Sequence, residues 1–286
     1  MPTDSPIVAA VSRLAELPGI PEQVEQAREA CTRLRWHQAL RKRIPEAAAE
    51  SRVRGAAASG ELEGASVPVD VVRDIVRGAS TWSPTPDPVE VTMRGVLAAT
   101  AETEHVVGIV LTAPLQALAR LHTAAAAGLV DPGALGRPRM PGEDSLELSD
   151  LGVAPPASEV AARLRGVAEV LVAMPRLPVV VAAAVVHAEL ATVRPFVRGN
   201  AVVARALDRA IVRAGGLDPT GVAVTEAGHG AGGSAAYLGA LAAYGRGDAA
   251  GVGLWISHCC AAVRAGAAEG ERVADAVLAG RLGPAD

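Results

Sequence analysis

The stretch Val193-Arg194-Pro195-Phe196-Val197-Arg198-Gly199-Asn200 separates two apolar segments of helical length. It contains the only phenylalanine and the only asparagine among the 286 residues. Residues 178–190 before it are rich in Ala and Val, and after it apolar residues recur at spacings of three and four until Gly215 and Gly216. That spacing is typical of an α-helix, and glycines often mark a helix end. The sequence therefore predicts a tight connection between two buried helices.

Asn200 stands where the second of these helices should begin. At the N-cap position its side-chain oxygen would accept a hydrogen bond from a backbone amide of the first turn. The unpaired N–H groups and the positive end of the helix dipole make such a turn a site for an anion. Arg194, Arg198 and Arg205 add guanidinium groups suited to phosphate or carboxylate. The alternative is an ordinary capped helix with solvated arginines.

The same residues resemble the signature loop of the Fic family, whose enzymes mostly transfer AMP from ATP to a protein hydroxyl. The shared pattern is Pro195-Phe196-x-x-Gly199-Asn200-x-x-x-x-Arg205. Arg194 stands where the family has its catalytic histidine, and Arg198 stands where it has the magnesium-binding acid. Ala201 and Val202 replace the second glycine and the first arginine of the motif.

This resemblance implies a nucleotide or anion site with neither a catalytic residue nor a metal ligand in the loop. The ligand would be ATP or another anion. Because arginine stays protonated at any relevant pH, Arg194 cannot act as a base, and Arg198 would repel a cation. The residues implied in binding are Arg194, Phe196, Arg198, Gly199, Asn200 and Arg205.

An upstream segment, Ser59-Gly60-Glu61-Leu62-Glu63-Gly64, is similar to the inhibitory motif of Fic proteins that carry an N-terminal autoinhibitory helix. Ser59 and Glu63 lie four residues apart, which places both on one helix face. In the family this glutamate pairs with the last arginine of the signature loop, so the resemblance implies a Glu63–Arg205 pair. The alternative is an exposed helix end that stops at Gly64.

Residues 131–156 are rich in Pro and Gly and contain one alternating run, Ser145-Leu146-Glu147-Leu148-Ser149. Alternation of this kind is typical of a strand, so residues 136–153 are predicted to form a β-hairpin. Fic proteins carry a β-hairpin flap at this place, which binds an extended target segment by strand addition. The resemblance thus implies that a target protein docks at the 136–153 flap. A long surface loop is the alternative.

The remaining periodicity predicts helices, so the expected fold is mainly α: a Fic-like helical bundle with a short β-hairpin flap and an N-terminal helical extension. Residues 46–63 are expected to form a helix broken at Gly55 and Gly60. We expect an N-terminal helical part at 1–85 with the inhibitory motif, a Fic-like core at 86–265, and a C-terminal tail at 266–286.

Composition excludes several classes of protein. The chain is 50% hydrophobic with a net charge of −4, which argues against a nucleic-acid partner. The longest stretch without charged residues, 227–245, is broken by glycines, so a membrane span is not expected. Three cysteines without metal-ligand spacing indicate buried thiols in a reducing compartment, and the predicted location is the cytoplasm. Homo-oligomerisation is left open.

The remaining candidate motifs are weak. Residues 228–233 match the letters of a dinucleotide-binding loop, but the surrounding pattern is helical rather than β-α-β. The six histidines are scattered, with no two at ligand spacing. His122, His187 and His229 are the available alternatives to the lost catalytic base, although His187 is expected to be a hydrogen-bonded core residue.

Three functions follow from these observations. The first is a Fic-fold pseudoenzyme that keeps an anion or nucleotide site. The second is an active transferase of AMP or another phosphate-containing group that uses altered loop chemistry. The third is a helical scaffold without a ligand. A usable base near the loop would distinguish the second from the first.

Overall fold

A computed structural model describes residues 5–145 and 147–282, and within those ranges the chain forms twelve α-helices and no β-strand. The α-helices are α1 (Pro6–Leu14), α2 (Ile20–Arg35), α3 (Ile44–Leu62), α4 (Val69–Arg77), α5 (Pro88–Val106), α6 (Pro114–Ala125), α7 (Ala157–Ala173), α8 (Val179–Val193), α9 (Asn200–Ala214), α10 (Thr225–Gly230), α11 (Ser234–Gly245) and α12 (Ala249–Leu278). Four short 3-10 helices cover Gln38–Arg41, Pro132–Ala134, Ser149–Leu151 and Met174–Arg176. The predicted mainly α fold is confirmed.

Helices α8 and α9 form the centre of the bundle. Almost every residue of α8 is buried, and α9 is buried without interruption over residues 200–212. A helix that is buried all round normally lies in the middle of a core, with other helices covering each of its faces. The loop between α8 and α9 therefore connects the two most central helices of the bundle.

The long helix α12 packs against α2, α8, α10 and α11. Its approach to α10 is so close that a Cβ atom on Gly228 would lie 1.9 Å from the carbonyl oxygen of Ala262. The Val224 amide also donates to the carbonyl of Gly266 at 2.9 Å. Small residues on both helices thus allow backbone to meet backbone.

Helix α3 is continuous from Ile44 to Leu62, so the predicted breaks at Gly55 and Gly60 were wrong. Both glycines serve close packing instead. A Cβ atom on Gly60 would lie 2.1 Å from the sulfur of Met93, and one on Gly55 would lie 2.5 Å from Nη2 of Arg209. A helix can tolerate glycines where a neighbouring element occupies the space that a side chain would need.

A buried ion pair holds α9 against α3 and α10. Arg209 donates to both carboxylate oxygens of Glu226, at 2.7 and 2.8 Å, and both side chains are buried. The same guanidinium donates to the hydroxyl of Ser51 at 3.1 Å. Bidentate geometry and the additional hydrogen bond offset the unfavourable removal of two charges from water.

The segment predicted as a β-hairpin flap, residues 136–153, contains no strand among its described residues. It consists of turns and the 3-10 helix Ser149–Leu151, and Leu146 in the middle of the alternating run lies outside the described residues. The backbone carbonyls of Glu147, Leu148 and Gly152 are bound by the side chain of Arg194. Carbonyls bound in this way cannot form a strand ladder. We refer to residues 136–153 as the flap segment.

The division at residues 85/86 and 265/266 stays a prediction, although α12 passes through the second boundary as one continuous helix. None of the helices in the described ranges combines the length and the apolar character needed to cross a bilayer.

The contact at Gly55 provides a test of the α3–α9 packing. We expect Gly55→Ala to lower the free energy of unfolding by about 1–3 kcal/mol, because the new methyl group displaces the Arg209–Glu226 pair. Gly239→Ala is the matched control, since Gly239 is an exposed helical glycine whose added Cβ would meet nothing within 4 Å. The control should be neutral or slightly stabilising, and urea melts of both variants measure the difference. Equal stability of the two variants would contradict the packing described here.

Candidate functional site

The connection between α8 and α9 is a loop whose two ends have left-handed backbone conformations. Arg194 ends α8 with φ of 48°, and Gly199 precedes α9 with φ of 84°. The second conformation suits glycine, while for arginine it is unfavourable and must be stabilised by surrounding contacts. The sequence predicted this connection correctly.

Asn200 is the first residue of α9, and Gly199 occupies the N-cap position, so the N-cap prediction for Asn200 was wrong. The Asn200 side chain is directed back across the loop instead. Its Oδ1 accepts from the Phe196 amide at 2.9 Å, and its Nδ2 donates to the Phe196 carbonyl at 2.8 Å. Two bonds to one residue fix the loop as a closed turn.

The predicted anion site at the start of α9 binds a carboxylate of the protein itself. Glu147, in the flap segment, accepts from the Gly199 amide at 2.6 Å through Oε1. Its Oε2 accepts from the Asn200 amide at 2.9 Å and from Asn200 Nδ2 at 3.0 Å. Burial raises the pKa of Glu147, while these hydrogen bonds act in the opposite direction. We call the Gly199 and Asn200 donors the anion nest.

Arg194 is buried and takes no part in the anion nest. Its Nη1 donates to the carbonyls of Glu147, Leu148 and Gly152 at 3.1, 3.2 and 2.9 Å. Burial and the neighbouring charge of Arg139 lower the pKa of Arg194. These bonds direct Nη1 of Arg194 at the flap backbone, and a contact of Arg194 with an external phosphate stays a prediction.

Arg139, from the flap segment, binds the other side of the same connection. Its Nε donates to the carbonyl of Arg194 at 2.8 Å, and its amide donates to the carbonyl of Pro195 at 2.7 Å. A cation at the C-terminal end of α8 also interacts favourably with the helix dipole. Arg139 and Glu147 thus attach the flap segment to both helix ends of the loop.

Arg198 differs from the other arginines of the loop. Its side chain is exposed, and among the described residues no hydrogen-bond partner is found for its guanidinium group. The structure thus leaves this side chain available to an external anion.

His122 supports the loop from α6. Its ring stacks on Phe196 with centroids 3.8 Å apart, and both ring nitrogens are engaged, one with the Arg198 carbonyl at 3.1 Å and one with the Gly136 amide at 3.0 Å. Burial lowers the pKa of His122 to about 4. This ring is a neutral structural support with no free nitrogen.

Ser59 and Glu63 both reach Arg205, as the resemblance implied. Arg205 Nε donates to the Ser59 hydroxyl at 2.9 Å, and Nη2 donates to the Glu63 carboxylate at 2.5 Å. The Arg205 side chain is 1% exposed and that of Glu63 is 21% exposed. Arg205 is thus shielded from water, while Glu63 is partly accessible to it. The pair holds the end of α3 against α9.

A cleft of about 400 Å³ lies beside the loop. Its lining includes Ser145, Glu147, Arg194, Val153 and Ala154. Sequence reasoning identified Arg194 here but not Glu147, whose only sequence signal was an acidic residue within the alternating run of the flap segment.

The solved structures that share this architecture include three Fic proteins. A Fic family protein from Desulfovibrio desulfuricans G20 superposes with a TM-score of 0.68 at 20% identity, covering 94% of this chain and 77% of that one. Fic-1 from C. elegans (residues 134–508) gives a TM-score of 0.62 at 18% identity, covering 96% and 75%. A Fic domain-containing signalling protein from Bacteroides thetaiotaomicron VPI-5482 gives 0.65 at 12% identity, covering 88% and 97%.

The sequence itself matches no family model and no curated protein. The structural likeness nevertheless extends over nearly the whole chain. This protein has the Fic fold.

Proposed function

We propose that this protein is a Fic-fold pseudoenzyme that transfers no AMP and whose anion nest is closed by its own Glu147. The observation that carries the proposal is the position of Arg194. It stands where the resemblance places the catalytic base, and its guanidinium binds three backbone carbonyls of the flap segment. A guanidinium group that stays charged cannot accept a proton from a target hydroxyl.

The neighbouring histidines offer no replacement base. Both nitrogens of His122 are hydrogen-bonded, and its pKa of about 4 leaves it a poor proton acceptor at neutral pH. His187 and His229 are buried, with ring centroids 4.9 Å apart, and their rings pack against Trp255. The alternative of an active transferase therefore lacks the group that it would need.

The loop also lacks the chemistry to hold a magnesium ion. Mg²⁺ in phosphate sites is usually bound by one or two carboxylates together with phosphate oxygens. Arg198 brings a positive charge to the position of the family's acid, and the carboxylate nearest the loop, Glu147, is bound by three N–H donors. An anionic ligand would be neutralised by Arg198 rather than by a metal.

The binding of the Glu147 carboxylate supports the proposal that the anion nest can also bind a phosphate. An external anion has to displace that side chain, which is held at high effective concentration by the chain. We infer that ATP, or another ligand with a terminal phosphate, binds only when the flap segment releases Glu147. The exposed Arg198 then provides a second charged contact.

We expect no transfer of label when the protein is incubated with labelled ATP, magnesium and candidate targets, because no base is present. The measurement is autoradiography of the protein and of added targets. Robust labelling that disappears in Arg194→Ala would contradict the pseudoenzyme proposal. Labelling that persists in Arg194→Ala but disappears in Glu147→Gln would contradict it too and would assign the base role to Glu147.

We expect Glu147→Ala to raise the affinity for ATP about tenfold or more, because removal of the carboxylate frees several charge-assisted hydrogen-bond donors. Isothermal titration calorimetry without magnesium measures the change. Asp150→Ala is the matched control, since it removes an exposed acid from the same segment and the same unit of charge. Equal affinities for the two variants would show that the nest does not bind the nucleotide.

We expect Glu63→Ala to lower the free energy of unfolding by about 2 kcal/mol, between the values typical of exposed and of buried pairs. Arg205 then keeps its contacts with Ser59 and Tyr237 but loses its carboxylate partner. The exposed neighbour Glu61 gives the control variant Glu61→Ala, which should change stability little. Urea melts of Glu63→Ala, Arg205→Met and the double variant give the coupling energy. A coupling of zero would contradict a stabilising role for this pair.

A further inference from the structure

Three helices bring potential metal ligands to one buried point. His187 of α8, Asp208 of α9 and His229 of α10 are all buried. Each offers one ligand atom, and the three atoms lie within 4.8 Å of one another. The sequence indicated no metal site, because these residues are far apart along the chain and meet only through the packing of the three helices.

Hydrogen bonds to other residues orient both imidazole rings. His187 Nε2 lies 2.7 Å from the Tyr237 hydroxyl, and His187 Nδ1 has no hydrogen-bond partner among the described residues. His229 Nδ1 lies 3.2 Å from Nε2 of His258, which leaves its Nε2 facing Asp208. Metal-binding histidines usually have this arrangement, with one nitrogen on the metal and the other fixed by a second residue.

The unpaired Nδ1 of His187 is the independent sign of a missing ligand. Buried polar atoms nearly always have a partner, and this nitrogen is left without one in either tautomer of the ring. An imidazole nitrogen of this kind is a usual ligand of Zn²⁺.

Asp208 supplies the negative charge. Its carboxylate lies 3.5 Å from Nε2 of His229, whereas the other two charged residues on the same stretch of α9 are directed elsewhere, Arg205 to Glu63 and Arg209 to Glu226. A buried carboxylate needs a cation, and either a protonated His229 or a bound metal ion can provide it.

We propose that His187, Asp208 and His229 form a structural site for a divalent cation of the zinc class. Nitrogen and carboxylate ligands at 2.0–2.2 Å from Zn²⁺ would lie roughly 3.4 Å apart, close to the observed separation of His229 and Asp208. The widest pair, within 4.8 Å, must then close by about 1.4 Å at most. The ion would link α8, α9 and α10 inside the core. This proposal does not depend on the proposed function of the loop.

The test uses the full-length chain without a histidine tag. The protein is unfolded with a chelator, refolded with Zn²⁺ or with Co²⁺, and passed over a desalting column before the metal content is measured by mass spectrometry. We expect about one ion per chain and visible absorption from the bound Co²⁺. We also expect the melting temperature to rise with Zn²⁺ concentration, since the ion binds the folded state.

Variants separate ligands from supporting residues. Asp208→Asn and His187→Gln keep the size of the side chains, and each should lose more affinity than the 10–100-fold expected for the supporting residue in His258→Gln. His105→Gln, at an exposed histidine of α5, is the control and should bind as the wild type does. Circular dichroism identifies any variant that fails to fold, and a wild-type protein that refolds without retaining metal overturns the proposal. Metal retention that is unchanged in both Asp208→Asn and His187→Gln overturns it as well, because the three residues would then form a hydrogen-bonded cluster without a metal.

Discussion

Helix α9 carries charged side chains into the core, and the surrounding helices are arranged to pair them. Arg205 meets Ser59 and Glu63, Arg209 meets Glu226 and Ser51, and Asp208 meets His229. Unpaired charges at these buried positions would strongly destabilise the fold. The partners that α3 and α10 supply are therefore needed beside α9. The positive N-terminus of α9 also needs a partner of opposite charge. The Glu147 carboxylate is that partner, since it accepts hydrogen bonds from the backbone amides of Gly199 and Asn200.

The loop and the flap segment satisfy one another's polar groups. Arg194 binds carbonyls of the flap segment, Arg139 binds carbonyls of the loop, and Glu147 binds amides of the loop. In such a reciprocal network the loss of one partner is unfavourable, because it leaves a buried group unpaired until another partner replaces it. A base or a metal ligand in this loop would need freedom that the network does not allow, and that is the physical link between the closed geometry and the proposed lack of transfer.

Much of the fold could be predicted from local patterns, and the contacts that close the site could not. Spacing of apolar residues gave the α8–α9 connection, and the motif around Ser59 and Glu63 gave their contact with Arg205. Glu147 was missed because its neighbours alternate as in a strand, while its partners lie about fifty residues away. Gly55 was misjudged because a glycine that breaks a helix and one that allows close packing have the same sequence signal. His187, Asp208 and His229 approach one another only when three helices are packed, so no local spacing indicates them.

The residues that this chain keeps from the loop pattern are the ones that shape its backbone. Phe196 stacks on His122, Gly199 takes a left-handed conformation, and Asn200 closes the turn through the Phe196 peptide. The two positions at which the resemblance to the Fic motif implies proton transfer and metal binding hold arginines, one buried and one exposed. Backbone geometry and reaction chemistry are thus separable in this loop. A likeness in fold at 20% identity indicates the backbone geometry, whereas the reaction chemistry depends on the side chains of the loop.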